Sequence, residues 1–132
     1  MSTQAPYRER LSGFALLESD DLLRLTRDAR TREHYVRALL LMEDIVSELW
    51  DEAAPSRFPE DEWERQQTEL LAFFDGEDGV SRNVQENLGR ARECREEAVI
   101  AQDDRAKAFV RREATRFMGA LLFTYNQVRL LG

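Results

Sequence analysis

Tyr35–Ala54, YVRALLLMEDIVSELWDEAA, decides the fold, because its middle is apolar on nearly every side. Tyr35, Leu39, Met42, Val46, Leu49 and Ala53 alternate steps of four and three, which keeps them on one face of a helix. Ala38, Ile45 and Trp50 widen that face, while Asp44, Glu48 and Asp51 fall opposite it and are expected in water. Ala38-Leu39-Leu40-Leu41-Met42 breaks the amphipathic pattern, since it runs without a polar residue. Leu40 lies about 160° from the centre of the stripe at about 100° per residue. Burying a leucine is worth roughly 1.5–3 kcal/mol, so another segment of the chain or a second subunit is expected to cover it.

Working toward the N-terminus, residues 1–10 are polar, contain Pro6 and are expected to be flexible. A single domain is expected over 11–132. Ser12-Gly13 reads as the start of a short helical turn carrying Phe14, Leu16 and Leu17. Ser19 suits an N-cap, with Asp20 and Asp21 in the first turn and Leu22, Leu25 and Ala29 on one face. That stripe does not run in phase with the central one. The phase change predicts a break near Arg30 to Arg32, with Thr31 as a cap, in preference to one long helix packed on two faces.

Toward the C-terminus, Pro55 and Pro59 end the central helix and open the next, Pro59 fitting a first helical position. Phe58 is expected to pack back on Trp63, and Trp63, Gln67, Leu70 and Phe74 mark the buried side, with Gly76 as the stop. Ser81 reads as the cap of a fourth helix whose stripe is thin: Val84, Leu88, Ala91, Ala98 and Val99, interrupted by Arg95 and Gln102. At Asp103-Asp104 the chain either turns back or continues as a rod of about 50 residues, roughly 75 Å long. The last helix, about Arg105–Leu131, carries Ala106, Val110, Ala114, Phe117, Leu121 and Val128 on one face. Its middle, Phe117 to Phe123, is again apolar all round, with Leu122 and Phe123 off the main stripe. The expected fold is therefore all-α: an antiparallel bundle of about four main helices with a short N-terminal helical extension.

The 132 residues carry a formal net charge of −7, which disfavours nucleic acid and anionic membrane surfaces as partners. Basic residues are arginine except for Lys107, a bias expected of a GC-rich bacterial genome. The single Cys94 forbids an internal disulfide and suits a reducing cytoplasm. No leader-like or membrane-length apolar run is present, so a cytoplasmic location is expected.

Few constellations suggest chemistry. His34 is the lone histidine and reads as a surface residue, and Cys94 reads as an unreactive thiol. The acids Glu93, Glu96 and Glu97 only superficially resemble the magnesium-binding carboxylates of all-α nucleoside-triphosphate pyrophosphatases. Their triplet runs in the opposite order, and no Glu-x-x-Asp follows on the last helix, so the pattern fails. Di-iron carboxylate sites fail for want of Glu-x-x-His. No metal and no cofactor is expected. Arg95 and Glu113 each fall inside an apolar stripe, which predicts a buried pair between them, or a pocket around Glu113. The leading expectation is a non-enzymatic protein-interaction or regulatory module acting as a homodimer, with possible further protein partners. Its seam is placed at Leu40, Leu41, Met118, Leu122 and Phe123. The first alternative is a small-molecule- or metal-dependent enzyme with an inter-helix site around Glu113, Arg95 and Glu93/Glu96/Glu97. The second is a nucleic-acid-associated regulator using the arginine-rich N-terminal third.

Overall fold

A computed structural model of the chain describes residues 10–11, 13–50 and 59–131. The order of elements is β1 (Arg10–Leu11), β2 (Phe14–Ala15), α1 (Ser19–Arg27), α2 (Ala29–Trp50), α3 (Glu60–Phe73), α4 (Gly79–Ile100) and α5 (Asp104–Arg129). The fold is the all-α bundle the periodicity implies, with α2 to α5 as main helices and α1 as the N-terminal extension. The central stretch is the hub: α2 packs on α1, α3, α4 and α5, most extensively on α5 and α4. Leu39, Leu41, Met42, Ile45 and Val46 are buried together with Phe117, Met118 and Leu121 of α5.

The expected helical turn at Phe14 is instead half of a two-stranded antiparallel hairpin, pairing Arg10 with Ala15 and Leu11 with Phe14. Gly13 sits in its turn at φ +86°, a left-handed conformation that a side chain resists. A Cβ added there would also lie 2.5 Å from the Arg90 side chain. Phe14 and Ala15 are fully buried, and a buried backbone must be hydrogen-bonded. Two asparagines on α4 supply the partners. Ala15 N–H donates to Asn87 Oδ1 at 2.7 Å, and Ala15 C=O accepts from Asn83 Nδ2 at 2.8 Å and Asn87 Nδ2 at 3.1 Å. Asn83 Oδ1 in turn accepts from Tyr35 Oη at 2.6 Å and from Asn87 Nδ2 at 3.1 Å. Phe14 then meets Phe117 edge-to-face, with ring centroids 5.1 Å apart.

Helix boundaries follow carboxylate caps, and several fall a few residues from their expected places. The break after α1 lies at Asp28, earlier than Arg30–Arg32. Asp28 is the cap there and Thr31 its partner, giving its amide at 3.1 Å and its hydroxyl at 2.8 Å. At α1 the cap is Glu18, whose N–H donates to Asp21 at 3.1 Å, so Ser19 is the first helical residue. Asp78 caps α4, taking the amide of Ser81 at 3.0 Å and its hydroxyl at 2.9 Å. Pro59 is the N-cap of α3, one residue before its first turn, and α3 ends at Phe73, short of Gly76. Between α4 and α5 the chain turns back, with Asp103 accepting from Ala106 N–H at 2.7 Å. Residues 1–9 and 51–58, and with them the readings for the N-terminus, Ala53, Pro55 and Phe58, lie outside the described residues.

Two predictions arise from these bonds. Asn87→Leu keeps the number and branching of side-chain heavy atoms but strands the buried Ala15 N–H, which costs about 1–3 kcal/mol per unmet group. Urea unfolding should therefore show a loss of about 2–4 kcal/mol, far beyond that of an exposed substitution. The second concerns acid. Burial pushes the Asp78 carboxyl up, but the amide and hydroxyl of Ser81 and the Arg24 guanidinium outweigh it and hold it below its ordinary 3.8. Asp28 is lowered too, chiefly by the hydroxyl and amide of Thr31. Both groups release protons more readily when folded. Their stabilisation is full above the ordinary value and is lost as pH falls through the lowered one. Asp78→Asn keeps an acceptor but cannot titrate, so its stability profile should be flatter than that of the parent below about pH 4.

Candidate functional site

Asp44 departs from its expected place in water. α3 lies against that side of α2, and the buried Asp44 carboxylate accepts from Trp63 Nε1 at 2.7 Å. The bond fixes the indole. Arg95 of α4 reaches over it, its guanidinium carbon 4.5 Å from the ring centroid, a cation–π contact. Its two terminal nitrogens donate to Ile45 C=O at 3.1 Å and Glu48 at 3.2 Å. Beside this tie runs a cleft of about 370 Å³ bounded by Ile45, Trp63, Glu64, Gln67, Thr68, Arg92, Arg95 and Glu96. Three helices contribute to it.

Arg95 and Glu113 do not pair with each other. Arg95 is taken by α2 and α3, while Glu113 meets Arg90 at 3.6 Å and Arg116 at 3.8 Å. Arg90 also reaches Glu97 at 3.4 Å and Glu93 at 3.9 Å, so two acids of the expected cluster belong to an ion-pair network on α4. Glu96 stands on the cleft side instead. Among the described residues no three His, Cys, Asp or Glu side chains are grouped closely enough to share a metal ion. Glu113 is half-buried beneath its arginines and does not open into the main cleft.

His34 is a packing residue. Its ring stacks on Phe73 with centroids 3.7 Å apart, and its Nδ1 lies 2.8 Å from the Arg30 carbonyl. A carbonyl only accepts, so Nδ1 carries a proton and donates it to this bond. Cys94 is fully buried. Burial pushes its thiol up; Arg90 opposes this, and Glu97, Glu113 and Glu93 add to it.

Of the five residues expected at a subunit seam, Leu41 and Met118 lie in the core and Leu40 is half-buried. Leu122 and Phe123 are exposed, at 40% and 57%. Two further apolar residues join them on α5 and its end, Phe109 at 53% and Leu130 at 81% exposure. Phe109, Arg116, Phe123 and Leu130 recur every seven residues, opposite the buried Val110–Phe117–Leu121–Val128 stripe. That spacing is legible in the sequence, though the apolar run Phe117–Phe123 overlaps it. Arg105, Arg112 and Gly119 lie on the same outward face. The helix is basic, with Arg105, Lys107, Arg111, Arg112, Arg116 and Arg129 against Asp104 and Glu113, in a chain of net charge −7.

No family model, curated protein or solved structure matches this chain. No helix among the described residues is long and apolar enough to cross a membrane.

The surroundings of Cys94 give a sharp expectation. A buried thiol held in its protonated form attacks disulfides poorly, because the thiolate is the nucleophile. The native protein should leave a disulfide reagent such as dithionitrobenzoate unreacted at neutral pH, and one equivalent should react after denaturation. Rapid reaction of the native protein would put Cys94 at an accessible site.

Proposed function

We propose that the protein is a non-enzymatic helical interaction module that works as a homodimer through the outward face of α5. The observation that carries the reading is the exposure of Phe109, Leu122, Phe123 and Leu130 along a helix whose opposite face is core. Phe109, Phe123 and Leu130 share one face, with Leu122 at its edge; large apolar side chains so placed stand in water at a cost, and covering them is the usual resolution. With a second copy as the occupant, charge selects the orientation. In a parallel pair, Arg105, Arg112 and Arg116 would face their own counterparts. An antiparallel pair sets that basic half of one helix against the apolar half of the other, Phe123 and Leu130 included, and opposes the helix dipoles favourably. Gly119, near the midpoint, has open space around it and lets two backbones approach. The lone buried Cys94 and the arginine bias support a bacterial cytoplasm as the setting of this proposal.

Sedimentation velocity over a range of concentrations tests it. The parent protein should form dimers, and Phe123→Glu should weaken dimerisation about thirtyfold or more with an unchanged circular dichroism spectrum. A parent that stays monomeric throughout, or a dimer indifferent to both Phe123→Glu and Leu130→Glu, would sink the reading. Orientation is tested separately by oxidation. Gly119→Cys should cross-link to its own copy and Leu130→Cys should not, whereas a parallel pair would cross-link both.

A further inference from the structure

The cleft between α2, α3 and α4 is left unused by the α5 surface, and its chemistry is specific enough to name a ligand class. Its floor is apolar and rigid: Ile45 and a Trp63 indole anchored by the buried Asp44. Arg95 is committed to Ile45, Glu48 and the indole face, and so holds the floor in place. The groups around the rim are different. Arg92 and Glu96 on α4 and Glu64 on α3 are exposed, and none has a side-chain ion-pair partner among the described residues. Opposite charges border one opening without closing it. Gln67, half-buried in the wall, likewise has an unengaged side-chain amide among the described residues. At about 370 Å³ the space falls in the range of small-ligand sites.

The geometry points to a binding site for a small zwitterion with an apolar side chain, of the type of a hydrophobic α-amino acid. Its carboxylate meets Arg92 and the Gln67 amide, its ammonium meets Glu64 or Glu96, and its side chain lies against Ile45 and Trp63. A purely anionic ligand would bring its charge toward two carboxylates, and a purely cationic one toward Arg92. Only a ligand carrying both charges satisfies the rim.

The indole N–H of Trp63 is the reporter. It is followed by ¹H–¹⁵N correlation in the full chain, with Trp50→Phe used to assign it. Titration with L-phenylalanine should shift it saturably. Phenylacetate and phenethylamine, each retaining one of the two charges, should bind about tenfold or more weakly. Arg92→Ala, and Glu64→Gln combined with Glu96→Gln, should weaken L-phenylalanine by a similar factor with circular dichroism unchanged. These are exposed rim positions, so the fold does not depend on them. Equal binding of phenylacetate would make this a simple anion site and overturn the assignment, as equal binding of phenethylamine would for a cation site. Absence of a saturable shift with all three probes would overturn it as well.

Discussion

Both main-chain groups of Ala15 are buried, and the attachment of the N-terminal segment rests on how they are bonded. A strand of two residues has too little ladder to satisfy itself. Asn87 offers its carbonyl to the Ala15 N–H and its amide to the Ala15 C=O, doing for that residue what a neighbouring strand would do. Asn83 adds a second bond and passes the network to Tyr35 on α2, so hairpin, α4 and α2 are joined through groups sealed from water. In such surroundings each bond is stronger than at the surface, and each missing one costs more. The Phe14–Phe117 contact depends on the same bonds, because they fix where the hairpin lies.

Around the other side of α2 a second polar tie acts alike. The Asp44–Trp63 bond places α3, and Arg95 covers the joint by spending its hydrogen bonds on Ile45 and Glu48. An arginine is suited to that position, since its planar group stacks on the indole while its edge donates. Together the two ties explain how a helix with acids on its back can be the hub of the bundle. The acid at Asp44 is met by a donor, and the apolar residues on either side of it are covered by α3 and α4.

The helices and most of their core faces were legible from periodicity alone, because apolar spacing reports which side of a helix faces inward. The four-three pattern from Tyr35 to Leu49 and the stripe from Val110 to Val128 both mark buried faces. Polar residues are less legible, for a common reason. Spacing tells which way a side chain points but not what meets it, so it points Asp44 toward water and does not distinguish Asn83 and Asn87 from surface residues. Arg95 and Glu113 each interrupt a stripe, yet Arg90 meets Glu113 and Trp63 offers Arg95 a ring. Carboxylate caps also moved boundaries by a few residues: Asp28 and Asp78 bind Thr31 and Ser81, which from the sequence looked like caps themselves. The cleft, assembled from three helices, had no sequence signature at all.

The same reasoning separates the leucines of the two apolar runs. Leu41 and Met118 are consumed within the core, whereas Leu122 and Phe123 remain substantially exposed. An apolar run on a helix therefore has two components, an inner one spent on folding and an outer one left over. On α5 the outer component shares its face with Arg105, Arg112 and Arg116, while the chain as a whole is acidic. A parallel alignment of two copies would set these three arginines against their own counterparts, and an antiparallel one would not. On the proposed reading the arginines thus select an orientation that the phenylalanines and leucines alone would leave undetermined.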